Sequence, residues 1–298
     1  MTAPHTADKP LRGILLILGA TLMFAYNDST NKILLTDYNA PLVTGIRYIV
    51  HTLLMLAIVA PLRGRDMFQT RRTGLVLVRA ACLAMASLLL GFALQLMPVA
   101  ETTAIVYLAP VIVLVLAGPL LKEKVGPSAW LAAALGFGGV LLIVRPGGGL
   151  DPLGVIFVLC NVVVSVGYYL LSRLLAHTER TIALLFYTAL VGAIAFGILL
   201  PWTATGAAPS LLQIILFVSL GVSAALGHYM FTAAYRFAPA ALLAPMNYIH
   251  LVWAALLGWL IFGHVPAPLS LAGMGLVAIA GVITATRGRR RPSSVPND

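Results

Sequence analysis

Charge is what this chain has least of. Only 9% of its 298 residues are Asp, Glu, Lys or Arg, whereas soluble domains carry roughly a quarter. That shortage excludes a water-soluble enzyme or binding domain. Cysteine is nearly absent: Cys82 and Cys160 each sit inside an apolar run and read as small buried hydrophobes, not as a disulfide framework or metal site. Also missing are H-E-x-x-H, G-x-S-x-G and paired aspartates at membrane depth, so enzyme chemistry is not expected. Gly147-Gly148-Gly149 lacks the Gly-Lys-Ser/Thr that would follow in a P-loop, so it reads as a linker. No cofactor is expected.

What remains is apolar. Hydrophobic residues make up 60% of the chain and mean hydropathy is +0.99, a composition for which lipid is the natural solvent. Each crossing needs roughly 20 apolar residues. Runs of that kind fall at 12–31, 41–62, 74–97, 101–121, 127–144, 152–173, 182–202, 211–235, 239–262 and 268–286. The reading is an all-α integral membrane protein of ten transmembrane helices. The first run ends in Tyr26-Asn27-Asp28-Ser29 rather than in small residues, so a cleaved signal peptide is not expected.

The net charge of +10 might suggest nucleic acid, but the location of the cations argues for a bilayer instead. With the N-terminus cytoplasmic, fifteen of the 19 basic residues fall in inside segments, among them Arg63, Arg65, Arg71, Arg72 and Arg287 to Arg291. Outside loops hold only Lys32 and Arg145, and Arg47 and Arg79 lie within spans. This is the positive-inside pattern, and it places both termini in the cytoplasm of a multi-pass inner-membrane protein. The expected partners are the bilayer and a small-molecule substrate, with no nucleic acid, and the chain is expected to act as a monomer.

Sliding the chain against itself by 141 residues aligns Gly13 with Gly154, Lys32 with Arg173, Pro98 with Pro239, Tyr107 with Tyr248 and Pro127 with Pro268. The expected organisation is a first five-helix repeat at 1–146, a Gly-rich joint at 147–151, a second repeat at 152–286 and a basic tail at 287–298. Five is odd, so the second repeat must enter the membrane upside down. Inverted repeats are an architecture of alternating-access carriers, with the site near the midplane between halves.

The stretches PVAETTAIVYLAPV (98–111), LKEKVGP (121–127) and LGFGGVLLI (135–143) resemble the end of an EamA repeat of the drug/metabolite transporter superfamily. The resemblance extends over both halves and implies a ten-helix basket with a central cavity. Within the superfamily the chain looks most like YddG-type amino-acid exporters. The acid usual after the fourth span is present as Glu123, but His264 stands at its equivalent in the second half.

Polar side chains in hydrocarbon must face protein or water, so helical spacing marks candidate cavity faces. One stripe is Asn161, Ser165, Tyr168 and Ser172, with Tyr169 beside it; a second is Thr44, Arg47 and His51; a third is His228, Thr232 and Tyr235. Asn247 and His250 share a face next to Tyr248, and the first span ends in Tyr26, Asn27 and Asp28. Pro110 and Pro245 mark helix breaks. The substrate-binding set is therefore Tyr26, Asn27, Asp28, Arg47, His51, Tyr107, Asn161, Tyr168, Tyr169, His228, Asn247 and Tyr248. Asp28 and Glu101 are the proton-coupling candidates.

Each assignment has a structural alternative. Asp28 and Lys32 stand at i, i+4 and can pair with each other, and Arg47 needs an acid or a bound anion, with Asp28 nearest in depth. Glu101 can serve its helix N-terminus, and Arg79 reads as a snorkelling anchor. Tyr38 and Tyr187 read as interfacial belt residues. The expected function is an exporter of amino acids, aromatic or hydrophobic, or of related amphipathic metabolites. An anion exchanger for sugar phosphates or nucleotide-sugars, or a passive facilitator, is the alternative.

Overall fold

Proline and glycine divide the apolar sequence into helices. The computed structural model describes residues 10–121, 127–144, 149–175, 178–204, 208–234 and 246–287, together with 237 and 243. The helices are α1 (Pro10–Leu34), α2 (Ala40–Leu54), α3 (Thr73–Leu96), α4 (Val99–Val106), α5 (Leu108–Leu121), α6 (Pro127–Val144), α7 (Pro152–Leu175), α8 (Thr181–Thr203), α9 (Leu211–Ala234), α10 (Ile249–Phe262) and α11 (Pro268–Arg287). No strand occurs among the described residues. A π-helical turn, Met55–Val59, carries α2 onward to Met67.

Six of these segments are long and apolar enough to cross a membrane: Pro10–Leu34, Ala40–Met67, Thr73–Leu96, Pro152–Ser172, Thr181–Thr203 and Leu211–Phe231. Four shorter apolar helical stretches accompany them, Val99–Val113, Trp130–Val144, Ile249–Phe262 and Pro268–Ile283. The expected fourth span is thus two helices, α4 and α5, with Tyr107 between them. Pro110 explains the break, because it has no N–H for the carbonyl of residue 106 and its ring crowds that carbonyl. The expectations placed on Glu123, Pro239, Pro245, Tyr235, Arg236, Gly147, Gly148 and residues 288–298 lie outside the described residues.

Burial is inverted relative to a soluble protein. Leu62, Leu211 and Trp202 are 77%, 75% and 71% exposed, while Asn27, Arg79, Glu101 and Asn161 are buried. Such a surface belongs against lipid, with polar groups gathered inside.

Helix pairing follows the 141-residue repeat. The principal pairs are α1 with α9, α3 with α7, α2 with α8 and α6 with α11. Replacing each helix by its equivalent converts the first pair into the second and leaves the other two unchanged. The self-equivalent pairs run antiparallel. Along α2 and α8, Gly45 meets Phe196, Tyr48 covers Gly192 and Met55 packs with Phe186. Along α6 and α11, Gly136 meets Ala280 while Gly273 meets Leu142 and Ile143.

The α6–α11 crossing has no space for side chains. A Cβ on Gly139 would lie 2.6 Å from the carbonyl oxygen of Gly273, and one on Gly273 would lie 2.5 Å from that of Gly139. Small residues at such crossings let helix backbones approach closely, where packing drives association in lipid. Gly139→Val should therefore lower stability by about 1–3 kcal/mol through overpacking, read as a lower Tm in detergent. The same substitution at Gly138, where a Cβ meets nothing within 4 Å, should leave Tm nearly unchanged.

Candidate functional site

The end of α1 and the break between Asn247 and α10 together build the polar centre. Asp28 Oδ2 lies 3.3 Å from Nε2 of His250, with both side chains largely buried, and the Thr103 hydroxyl lies 3.4 Å from the same carboxylate oxygen. Tyr107, at the α4–α5 break, donates its hydroxyl to the Asn247 carbonyl at 2.8 Å and lies 3.2 Å from Nδ1 of His250. Tyr107 and Tyr248, equivalents across the repeat, have ring centroids 4.8 Å apart. Phe24 completes an aromatic wall, 5.2 Å from the His228 ring and 6.3 Å from that of His250. His51 and His228 stack at 6.1 Å.

Two buried polar atoms here lack a hydrogen-bond partner, Asn247 Oδ1 and His250 Nε2; Nε2 meets Asp28 at ion-pair distance without hydrogen-bond alignment. A buried polar atom left unpaired costs about 1–3 kcal/mol. A carboxylate, an imidazole and an unused amide oxygen beside aromatic faces can take a ring together with a cationic or N–H-bearing group.

The expected partners of Asp28 differ from those observed. Lys32 does not pair with it, because its ammonium donates to the carbonyls of Leu94 and Met97 at 2.7 and 2.8 Å, the free backbone acceptors where α3 ends. Arg47 does not pair with it either; its guanidinium donates to Asn27 Oδ1 at 3.4 Å and lies over the Tyr48 ring at 5.0 Å. Arg79 is not a snorkelling anchor. It is 5% exposed and donates inward to Ser172, Thr188 and Tyr168 at 2.7, 2.9 and 2.9 Å, since α7 and α8 offer it hydroxyls nearer than any route to water.

Several expected cavity residues instead tie helices together. Asn27 donates to the Leu220 carbonyl at 2.8 Å and to Ser223 at 2.9 Å, and Tyr26 donates to Ser219 at 2.9 Å, so both hold α1 on α9. Asn161 donates to the Ala86 carbonyl at 2.6 Å, holding α7 on α3. Tyr168 is occupied by Arg79, and Tyr169, edge-on to it with ring centroids 5.3 Å apart, is 40% exposed. Glu101 is buried and faces His264 Nε2 at 3.1 Å, a pairing between halves. Tyr38 is buried with its hydroxyl donated to Gln213, and Tyr187 donates to the Phe68 carbonyl, so neither is a simple belt residue. Thr103, Phe24 and His250 stand outside the expected substrate-binding set, although His250 shares the face of Asn247. Phe24 stands four residues before Asp28, on the same helical face, which is the signal that could have marked it.

A model of the EamA-like transporter family matches residues 11–145 and 152–286. The chain belongs to this family, within the drug/metabolite transporter superfamily. It is a multi-pass membrane transporter and not an enzyme. An uncharacterized transporter of Helicobacter pylori is 29% identical over 92% of this chain and 95% of its own length. A riboflavin transporter of Vibrio cholerae is 25% identical over 91% and 92%, and an S-adenosylmethionine uptake transporter of Rickettsia bellii is 25% identical over 84% and 85%. A crystal structure 20% identical in sequence shares the fold, with a TM-score of 0.63 over 96% of this chain and 97% of that one. The Vibrio cholerae and Rickettsia bellii relatives bear the names of riboflavin and S-adenosylmethionine carriers, not of amino-acid exporters, so the YddG-type likeness is not supported beyond the family.

The two kinds of polar residue should separate in experiment. Asn161→Leu should cost about 0.5–1.5 kcal/mol by removing the bond that holds α7 on the Ala86 carbonyl of α3, seen as a lower Tm. Asp28→Asn should leave Tm within a few degrees while removing ligand-dependent stabilisation. Equal loss of stability in both variants would mean that Asp28 is a structural tie as well.

Proposed function

We propose that this transporter is an alternating-access secondary carrier in the cytoplasmic membrane, its ten spans forming two inverted halves, 1–146 and 152–286, around a central cavity. The joint is 147–151, the basic tail 287–298 is cytoplasmic with the N-terminus, and the chain works as a monomer. The antiparallel packing of equivalent helices supports inversion, since a repeat related by an axis along the membrane normal would pack them parallel. The fifteen-to-two distribution of basic loop residues supports the orientation.

The cargo is a small amphipathic metabolite with a planar aromatic or heteroaromatic ring and a cationic or N–H-bearing group. The observation that carries this reading is the Asp28–His250 pair, set beside the unpaired Asn247 oxygen and the Tyr107, Tyr248 and Phe24 rings. Asp28 receives the donor group, and the rings receive the planar part. The relatives' names favour uptake over the export expected from the sequence, and riboflavin and S-adenosylmethionine both fit a ring-plus-polar-chain description. Amino-acid export gains nothing from those names. The anion-exchanger alternative needs exposed cations, yet Arg79 is engaged by hydroxyls of α7 and α8. Asp28 is also the coupling acid of this reading, with Glu101, which faces His264 at 3.1 Å, as the second candidate.

Proteoliposomes holding the purified chain test this with labelled riboflavin, S-adenosylmethionine, phenylalanine and glucose 6-phosphate under an imposed proton gradient. One of the first two should accumulate, and Asp28→Asn should lower accumulation at least about tenfold, the effect of roughly 1.4 kcal/mol. Movement of the sugar phosphate alone, or wild-type accumulation in Asp28→Asn, would contradict the reading. Movement of phenylalanine alone would keep the ring-plus-cation class while replacing the riboflavin- or S-adenosylmethionine-like cargo by an amino acid.

A further inference from the structure

The two ends of the bundle are fastened by equivalent residues using different chemistry. At one end Tyr38 donates its hydroxyl to Gln213 Oε1 at 3.1 Å, Gln213 donates to Asp37 at 2.9 Å and Asn39 donates to the Thr203 carbonyl at 2.7 Å. At the basic end the Glu179 carboxylate accepts the backbone N–H groups of Arg71 and Arg72 at 2.9 and 2.8 Å, and Arg180 forms an ion pair with Asp66. Adding 141 turns Tyr38 into Glu179, Asn39 into Arg180 and Arg72 into Gln213. The residue at 38 or 179 reaches the start of α9 or α3 in the other half, and the residue at 39 or 180 reaches the end of the other half's second helix. Tyr38 and Glu179 are 9% and 8% exposed, so each fastening has a packed residue at its centre, while the Arg180–Asp66 pair and the Gln213–Asp37 bond lie exposed at the rim.

We propose that these are the two gates of the carrier, one at each face, both closed in this structure, and that opening one requires the other to hold. The proposal rests on the alternating-access reading and adds to it which contacts break. A route open to one face requires the connection between halves at that face to part. The two clusters belong to that connection where the chain turns between its first and second helices in each half, with the bond from Tyr187 to the Phe68 carbonyl beside the one at the basic face. The gates are unequal. Glu179 meets the N-terminus of α3 with charge-assisted bonds, stronger than those between neutral groups, whereas Tyr38, Asn39 and Gln213 join through neutral groups apart from the contact with Asp37. The basic-face gate is the tighter one, and the resting carrier opens first at the opposite face. That bias suits uptake.

Pulsed dipolar distance measurements test this on the full chain in lipid nanodiscs, in a Cys82→Ala, Cys160→Ala background. Spin labels at Gln69→Cys with Thr178→Cys report the basic face, and labels at Thr36→Cys with Ala208→Cys report the other. Glu179→Gln should raise the long-distance population at the basic face about tenfold, the scale of one lost charge-assisted bond, and shorten distances at the opposite face. Gln213→Ala should do the reverse. Single unchanging distances in all variants would show static clamps and overturn the proposal, as would lengthening at both faces together. Neither readout needs a cargo, so opposed shifts in a chain that moves none of the tested compounds would sustain the gates while refuting the proposed substrate class.

Discussion

A polar group within hydrocarbon has no water to turn to, so it must find its partner inside the protein. The arrangement of this molecule follows from that constraint. Lys32 sits on the free carbonyls that end α3, Arg79 on three hydroxyls, and Asn27 and Asn161 on backbone carbonyls of the helices they pack against. Each such bond joins two helices that are distant in sequence. Because hydrophobic attraction between helices is weak in lipid, these ties and the close glycine crossing of α6 and α11 decide which helices become neighbours.

Against this background Asp28, His250 and Asn247 differ in kind. His250 is buried and Asp28 and Asn247 are half-buried, but their pairing is incomplete, and they lie where α4–α5 and the start of α10 interrupt regular helix. Broken helices at the junction of two halves are where carriers of repeated architecture place their sites. The helices that end there bring Tyr107 and Tyr248, equivalent residues from the two halves, into ring contact. One duplicated position thus supplies both sides of an aromatic wall, while the acid comes from the first half alone and the imidazole from the second.

Much of this was legible in the sequence, for identifiable reasons. Helix boundaries follow from Pro, Gly and charge, which act locally, and the 141-residue offset marks equivalent positions. Helical spacing correctly gathered Asn247 with His250 and set Asn161 in line with Ser172. Spacing gives a face but not what stands opposite. Asp28 was matched with Lys32 and Arg47 from sequence separation and depth, yet α1 packs on α9 and α10 as well as near α3, so histidine and threonine from distant segments reach it first. Arg79 was misjudged for the same reason. Its distance from the span end suggested water, whereas the hydroxyls that hold it belong to α7 and α8. The Tyr107 break was only half visible: Pro110 announced a kink, but the division of the segment into two helices needs the backbone itself.

The wall shared by Tyr107 and Tyr248, the antiparallel pairs and the two proposed gates would all follow from one relation, the inversion of the two halves. Dual alkaline phosphatase and green fluorescent protein reporters, fused after Asp298 and inserted in separate chains between Gly147 and Gly149, measure it most directly. The account predicts a cytoplasmic signal at the C-terminus and a periplasmic one at the joint. The same side for both positions would contradict it.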